Sequence, residues 1–172
     1  MTKWASKPIN KLRGKKLISS LLLLFILLFF LSSKEALVLS DVFTGEVLAV
    51  FSAAKGFSIA YTHSVERSEV IESYLLENGR LLLIETWLHS YGAGLPATTE
   101  YDFEIRPEGF HIYNINQYFD EVIYRSGKGL ANHRLLIGKK EYLFAEFSRP
   151  GEAILFRPQK VSRWKLLLGG VH

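Results

Sequence analysis

The feature that most constrains the fold is an apolar run near the N-terminus. Residues 17–33 read LISSLLLLFILLFFLSS, and residues 21–31 contain only Leu, Ile and Phe. A run that is apolar on every face suits a bilayer better than a protein core, and about 17 residues is the short end of a membrane span. Six basic residues and no acidic residue precede it. This pattern is typical of a signal peptide or of an uncleaved signal anchor.

The residues after the run favour the uncleaved anchor. A cleavage site needs small residues in an A-x-A-like pattern, and Ser32, Ser33 and Ala36 are poorly arranged for one. Basic residues next to a span stay cytoplasmic. We therefore expect a cell-membrane protein with three segments. They are a cytoplasmic tail (1–16), a transmembrane signal anchor (17–33) and one extracytoplasmic domain (34–172), with a secreted, cleaved form as the alternative.

The charge of the chain excludes nucleic acid as a partner. The chain has 21 Lys and Arg against 17 Asp and Glu, which would suggest a basic binding surface. Six of those basic residues precede the apolar run, and the rest of the chain carries fifteen basic residues and all seventeen acidic ones. The basic excess therefore belongs to the tail. Because the chain has no cysteine, no disulfide supports the exported domain.

The exported part predicts an all-β fold. From about residue 42 onward, short β-rich segments alternate with turn residues, and the pair Asn78-Gly79 is a strong hairpin signal. No convincing helical pattern of about 12 residues is evident beyond the anchor. Roughly nine or ten strands at this spacing indicate a single sandwich or small barrel of short antiparallel strands.

A histidine and a glutamate interrupt the apolar faces of two predicted strands. His63 shares a face with Phe57, Ile59 and Tyr61, and Glu72 shares a face with neighbouring apolar residues. If these strands form a hairpin, the two polar side chains approach one another. A buried carboxylate needs a bonded partner, so the pair is structural, forms a ligand or catalytic site, or lies at the surface.

Common catalytic and cofactor patterns find little support. Ser64 points away from His63 on a strand, and no G-x-S-x-G elbow exists. The stretch SYGAGLPATTE, with Gly92 and Gly94, lacks the nucleotide-binding glycine patterns. Its glycines permit positive φ or expose N–H groups to an anion. No metal or cofactor is expected, because the five histidines lack ligand spacing.

Three stretches, YTHSVERSEVIESY, SYGAGLP and NHRLLIGKKEYLF, together resemble an uncharacterised bacterial family of exported domains, often encoded beside TRAP transporters of the TAXI class. The HSVE signature is matched at residues 63–66 and the GAGLP signature at residues 92–96. His133 and Arg134 match the dipeptide before the last hairpin and point to opposite faces of their strand. The resemblance covers roughly residues 45–157. It implies an envelope location and a link to solute uptake, and it implies no reaction.

The sequence therefore predicts an extracytoplasmic binding or accessory domain, held to the membrane by its N-terminal helix. Its partner would be a small solute or a subunit of a TRAP-type transporter. An envelope hydrolase that uses His63 with Glu66 or Glu72 and a purely structural domain are the alternatives. The residues expected around one ligand-binding site are His63, Ser64, Glu66, Arg67, Glu72, Gly92, Gly94, His133 and Arg134.

Overall fold

The computed structural model describes residues 11–64, 67–89, 99–127 and 131–168. The chain begins with helix α1 (Lys11–Leu31), and antiparallel strands follow. In chain order they are β1 (Ser33–Asp41), β2 (Val47–Phe51), β3 (Phe57–Thr62), β4 (Glu69–Glu77), β5 (Arg80–Leu88), β6 (Asp102–Arg106), β7 (Gly109–Phe119), β8 (Val122–Arg125), β9 (Arg134–Ile137), β10 (Lys140–Leu143) and β11 (Ala153–Ser162). A 3-10 turn (Phe144–Glu146) follows β10, and helix α2 (Arg163–Leu168) follows β11.

Within the described part of the chain, the strands form two sheets that pack face to face. The small sheet has the order β2-β1-β11-β8, and the large sheet has the order β10-β9-β3-β4-β5-β7-β6. Leu37 and Leu39 of the small sheet meet Ile59 and Leu135 of the large sheet in one buried core. The prediction of an all-β fold preceded by one apolar helix is confirmed, and the architecture is a sandwich.

The large sheet follows the predicted alternation. Phe57 and Ile59 of β3 are buried against the small sheet, while Ser58 between them points to the outer face. Asn78 and Gly79 join β4 to β5 with φ of +54° and +78°. Positive φ at both central residues is what a two-residue type I′ turn requires. The hairpin predicted from these two residues is therefore confirmed.

Strand β1 begins earlier than the sequence predicted. Strands were expected only from about residue 42, but β1 begins at Ser33 and pairs with β11 along its whole length. Ala36, Leu37, Val38 and Leu39 are at most 2% exposed. Such a continuous apolar run carries no alternation, and here it directly follows the apolar helix. The described residues hold eleven strands, one more than the upper end of the expected range.

The small sheet does not cover the whole inner face of the large sheet, which is the face turned toward the small sheet. Coverage ends before β6, where Phe103 is 57% exposed and Ile105 is 70% exposed. Both residues pair across to inner-face positions of β7, Ile112 and Phe110. The margin where the small sheet ends is therefore an apolar surface next to the core, and it is where the candidate site lies.

Candidate functional site

The connection between β3 and β4 holds the first group of predicted site residues. Ser64 and Arg67 are exposed, and His63 is half-buried. The His63 carbonyl accepts a hydrogen bond from the Arg67 N–H (2.9 Å), and the His63 N–H donates to the Ser68 carbonyl (2.8 Å). Arg67 has a φ of +51°, so the chain turns tightly here. Glu66, Gly92 and Gly94 lie outside the described residues.

The strand register sets His63 and Glu72 apart. Strands β3 and β4 pair with Ile59 opposite Glu72, and His63 lies four residues beyond Ile59. At about 3.3 Å per residue, roughly 13 Å of strand lies between His63 and the residue that faces Glu72. The sequence predicted that the two residues share a face, but it does not determine the distance between them along the strands. The carboxylate of Glu72 meets tyrosine hydroxyls instead.

The dipeptide His133-Arg134 divides between the two faces of the large sheet. Arg134 lies on the outer face and forms ion pairs with Glu69 and with Glu141, the latter at 3.3 Å. His133 lies on the inner side, with its ring 5.3 Å from that of Tyr61 and 5.3 Å from that of Phe144. The geometry therefore brings His133 toward the inner side of β3 and leaves Arg134 on the opposite face. A single site that contains both residues is not formed.

A cluster of Glu72 with three tyrosines lies between the two sheets; we call it the tyrosine–glutamate cluster (Tyr61, Glu72, Tyr74, Tyr124). The Tyr124 hydroxyl donates to the Glu72 carboxylate, and the Tyr74 and Tyr124 hydroxyls are 2.7 Å apart. Glu72 and Tyr74 lie two residues apart on β4 and therefore share a face. Because Tyr124 belongs to β8 of the small sheet, the cluster links the two sheets by side-chain hydrogen bonds.

Burial controls the ionisation of the cluster. It raises the pKa of Glu72 above its ordinary value, while hydrogen bonds from Tyr124 and Tyr74 act in the opposite direction. Burial also raises the pKa of Tyr61 to about 12, and the negative charge of Glu72 adds to the effect. The pKa values of Tyr74 and Tyr124 are raised for the same two reasons. The phenols therefore remain neutral hydrogen-bond donors, and Glu72 is the group whose charge can change.

A cavity of about 270 Å³ opens beside the cluster. Glu72 and Tyr61 form part of its wall, and Thr86 lies directly across from Glu72 on β5. The remaining lining residues come from β4, β5 and β7 and from the segment before β6. They are Val70, Leu83, Leu88, Thr99, Tyr101, Ile112, Ile115 and Gln117. An apolar cavity with a few convergent polar groups is the usual form of a small-molecule site.

His133 carries an unused polar atom near this region. Its Nδ1 is buried and has no hydrogen-bond partner among the described residues. Burial lowers the pKa of His133, since a charged imidazole would lose hydration there. The ring is therefore neutral around pH 7, and it stacks on the aromatic rings of Tyr61 and Phe144.

A second polar cluster lies on the outer face of the large sheet, and no sequence pattern indicates it. His111 is 2.9 Å from Glu104 through Nδ1 and 2.8 Å from Glu85 through Nε2. Its ring stacks on Trp87 at 4.0 Å, and the Arg106 guanidinium lies over the Trp87 ring, 5.4 Å from the ring centre. Hydrogen bonds from His111, and then from Arg106, lower the pKa of Glu104. We call this set the histidine–tryptophan cluster (Glu85, Trp87, Glu104, Arg106, His111).

The sequence held only a weak signal for either cluster. His111 appeared as an isolated histidine, and its neighbours became visible only with the register of β5, β7 and β6. Tyr124 is 52 residues from Glu72 and lies in the other sheet. Among the described residues, no group of three or more His, Asp or Glu side chains is placed to hold a metal ion.

The N-terminal helix has the composition of a membrane span. The window Gly14–Leu31 has a mean hydropathy of 2.1, and none of it is buried inside the protein. A signal sequence would have the same properties. The helix can therefore anchor the chain in a membrane by length and composition.

Comparison with known proteins identifies the family. No curated protein and no solved structure matches the chain. Residues 57–144 match the family described as "Domain of unknown function (DUF1850)". The match covers just over half of the chain, from β3 to the residue after β10, and includes all four members of the tyrosine–glutamate cluster. The chain belongs to this family of domains of unknown function.

Proposed function

We propose that this chain is a membrane-anchored extracytoplasmic domain that binds a small solute in the cavity beside Glu72. The observation that carries the proposal is a half-buried carboxyl group, held by tyrosine hydroxyls, in the wall of an otherwise mainly apolar cavity. The resemblance to proteins encoded beside TRAP transporters supplies the setting. In that setting the domain is an accessory to a TRAP-type solute transporter.

The start of β1 supports an uncleaved anchor. Helix α1 ends at Leu31 and β1 begins at Ser33, so no linker separates the helix from the folded domain. Ala36, the small residue best suited to a cleavage site, is 0% exposed and pairs with Gln159 of β11. Cleavage after it would remove the first four residues of a core strand. The basic residues before the helix favour a cytoplasmic N-terminus.

The cavity limits the size and chemistry of the solute. A volume of about 270 Å³ is just below the roughly 300–1,000 Å³ of typical small-molecule sites, so the solute is small. Val70, Leu83 and Ile112 offer contacts to an apolar body. Glu72 offers a carboxyl group in a poorly hydrated place, where a hydrogen-bond donor or an ammonium group would stabilise it most. We therefore expect a small, mainly apolar solute with an amine or hydroxyl group.

Native mass spectrometry of the detergent-extracted full chain tests the proposal. We expect a bound small-molecule mass on the wild-type protein and its loss in Glu72→Gln, which keeps the shape and an acceptor for Tyr124. The matched control is Glu77→Gln on the same strand, where the glutamate accepts a hydrogen bond from Tyr118 at the surface. This control should retain the bound mass.

Two results would overturn the proposal. One is a wild-type protein that carries no small molecule and shows no thermal shift with small amines or alcohols. The other is a Glu72→Gln variant that retains the bound mass as fully as the wild type. Thermal unfolding of each variant confirms that it is folded. A folded Glu72→Gln protein with unchanged binding would leave the tyrosine–glutamate cluster as a structural link between the sheets.

A further inference from the structure

The chain leaves the sandwich at the place where it entered. Strand β1 begins at Ser33, and β11 ends at Ser162, its direct pairing partner. Helix α1 therefore ends, and helix α2 begins, at the same end of the two central strands of the small sheet. This end is the part of the β domain nearest to the anchor.

Helix α2 is held against the end of α1. The Arg163 N–H donates to the Ser32 carbonyl at 3.1 Å, and the Arg163 guanidinium lies 4.3 Å from the centre of the Phe29 ring. Phe29 is only two residues before the end of α1, which is about 3 Å along the helix axis. If α1 spans a bilayer, α2 begins at the level of the lipid headgroups.

The side chains at this end of the two strands have the chemistry of a membrane interface. Trp164 is 43% exposed, and tryptophan concentrates at the boundary between hydrocarbon and headgroups. Three exposed basic residues lie close to this end of the two strands in sequence. They are Lys34 of β1, Lys160 of β11 and Lys165 of α2. The acid nearest to them in sequence, Glu35, is half-buried and accepts a hydrogen bond from the Gly79 N–H at 2.8 Å.

We propose that α2 and its basic surroundings are a second membrane contact, which docks on the anionic phospholipid headgroups of the leaflet where α1 emerges. This inference rests on the membrane anchorage proposed above. Trp164 enters the interface, and the three lysines meet lipid phosphates, since basic residues near an anionic leaflet are attracted to it. The contact holds this end of the small sheet against the bilayer, and it therefore limits how far the domain can tilt relative to the membrane.

Fluorescence of the full chain in vesicles tests the contact. A protein with Trp4→Phe and Trp87→Phe keeps Trp164 as its single tryptophan. It is reconstituted in phosphatidylcholine vesicles containing phosphatidylglycerol, with lipids brominated either near the headgroup or deep in the acyl chain. We expect about a two-fold loss of Trp164 emission with the shallow bromines and a smaller loss with the deep ones.

A matched protein and a charge variant sharpen the result. Trp4→Phe with Trp164→Phe leaves Trp87, which stacks on His111 of the large sheet, and bromolipids should not quench it. Replacing Lys34, Lys160 and Lys165 by Gln should weaken the quenching of Trp164 in phosphatidylglycerol vesicles but not in pure phosphatidylcholine. Equal quenching with and without the three lysines would remove the anionic lipid from the proposal.

The failure of this contact can be told apart from the failure of the anchor. Vesicles are washed at alkaline pH, which strips peripheral proteins but not spanning ones. A protein that stays with the vesicles but whose Trp164 is not quenched overturns the α2 contact alone. A protein that washes away overturns the anchorage, and with it the contact.

Discussion

Two glutamates of the large sheet show how one side chain takes opposite electrostatic roles on the two faces. Glu72 points inward, and burial raises its pKa although tyrosine hydroxyls donate to it. Glu104 points outward, and hydrogen bonds from His111 and Arg106 lower its pKa. The neutral partners of Glu72 cannot replace the hydration that burial removes, whereas the partners of Glu104 act with solvent still present. The face of the sheet, not the residue type, therefore decides the direction of the pKa shift.

The same difference separates the two clusters as functional candidates. The tyrosine–glutamate cluster borders a cavity, so its carboxyl group can meet a bound molecule. In the histidine–tryptophan cluster both ring nitrogens of His111 already face carboxylates, and Trp87 covers its ring. These outer groups are engaged with one another across β5, β7 and β6. This outer arrangement is consistent with a role in holding the register of these strands.

The largest expected difference between the faces is in apolar burial on β9. Leu135 is 0% exposed on the inner face, and its neighbour Leu136 is half-buried on the outer face. We expect Leu135→Ala to lower the free energy of unfolding by about 2–5 kcal/mol, because it leaves a cavity in the core. Leu136→Ala should cost about 1 kcal/mol or less. Urea unfolding of the full chain in detergent micelles, followed by tryptophan fluorescence, measures both.

Equal losses in the two variants would contradict this arrangement of the strand. The two substitutions remove the same atoms from adjacent residues, so each serves as the control for the other. A larger loss for Leu136→Ala would mean that the register of β9 is shifted by one residue, since a one-residue slip exchanges the faces.

A smaller difference is expected when a tyrosine hydroxyl is removed on the inner side and on the outer side of the large sheet. Tyr124→Phe deprives the half-buried Glu72 of one of its two tyrosine donors, and loss of a hydrogen bond to a poorly hydrated acceptor costs about 1–3 kcal/mol. Tyr113→Phe keeps the ring that lies 5.2 Å from His111. We expect that variant to remain within about 0.5 kcal/mol of the wild type. Urea unfolding measures the free energy of unfolding of both variants. If Tyr124→Phe unfolds with the same free energy as the wild type, the hydrogen bond to Glu72 does not stabilise the fold.

The sequence predicted the parts of the large sheet that local patterns determine. Alternation assigned the faces of β3, and Asn78 with Gly79 located the turn between β4 and β5. The opposite directions of His133 and Arg134 also follow from alternation alone. These features depend on residues a few positions apart, so a single sequence contains the necessary information.

The rest depends on contacts between distant residues. Residues 36–40 in β1 show no alternation because successive residues are all buried, and this run lies a few residues after the apolar helix. Tyr124 meets Glu72 only because β8 joins the small sheet through β11. The offset between His63 and Glu72 depends on where the β3–β4 pairing begins. Sequence periodicity identifies faces, but it does not identify register or which sheet covers which.

The pH dependence that Glu72 gives to stability should be opposite to that of a glutamate whose folded-state pKa is lowered, such as Glu104. Its folded-state pKa is raised from 4.5, so its contribution to stability is full below about pH 4.5 and is lost as pH rises through the raised value. Glu72→Gln cannot ionise and escapes this loss. We therefore expect the stability of the variant relative to the wild type to increase as pH rises above 4.5.

Urea unfolding of both proteins between about pH 4 and 8 measures this difference. The titration of His133, whose lowered pKa costs stability as pH falls below 6.5, is present in both proteins and cancels in the difference. A difference that stays flat across this range would mean that Glu72 is fully solvated in the folded protein, and the poorly hydrated carboxyl group of the proposed site would be ruled out.

The smallest effect, and the one that completes the contrast, is expected for Glu104. Its folded-state pKa is lowered from 4.5, so its contribution is present above pH 4.5 and is lost as pH falls through the lowered value. Glu104→Gln should therefore be slightly less stable than the wild type at pH 7, and the two should converge in acid. Because these charges face solvent, added salt at about 1 M should reduce the difference. If the Glu104→Gln difference instead followed the same slope as that of Glu72→Gln, the two faces would not differ in electrostatic environment.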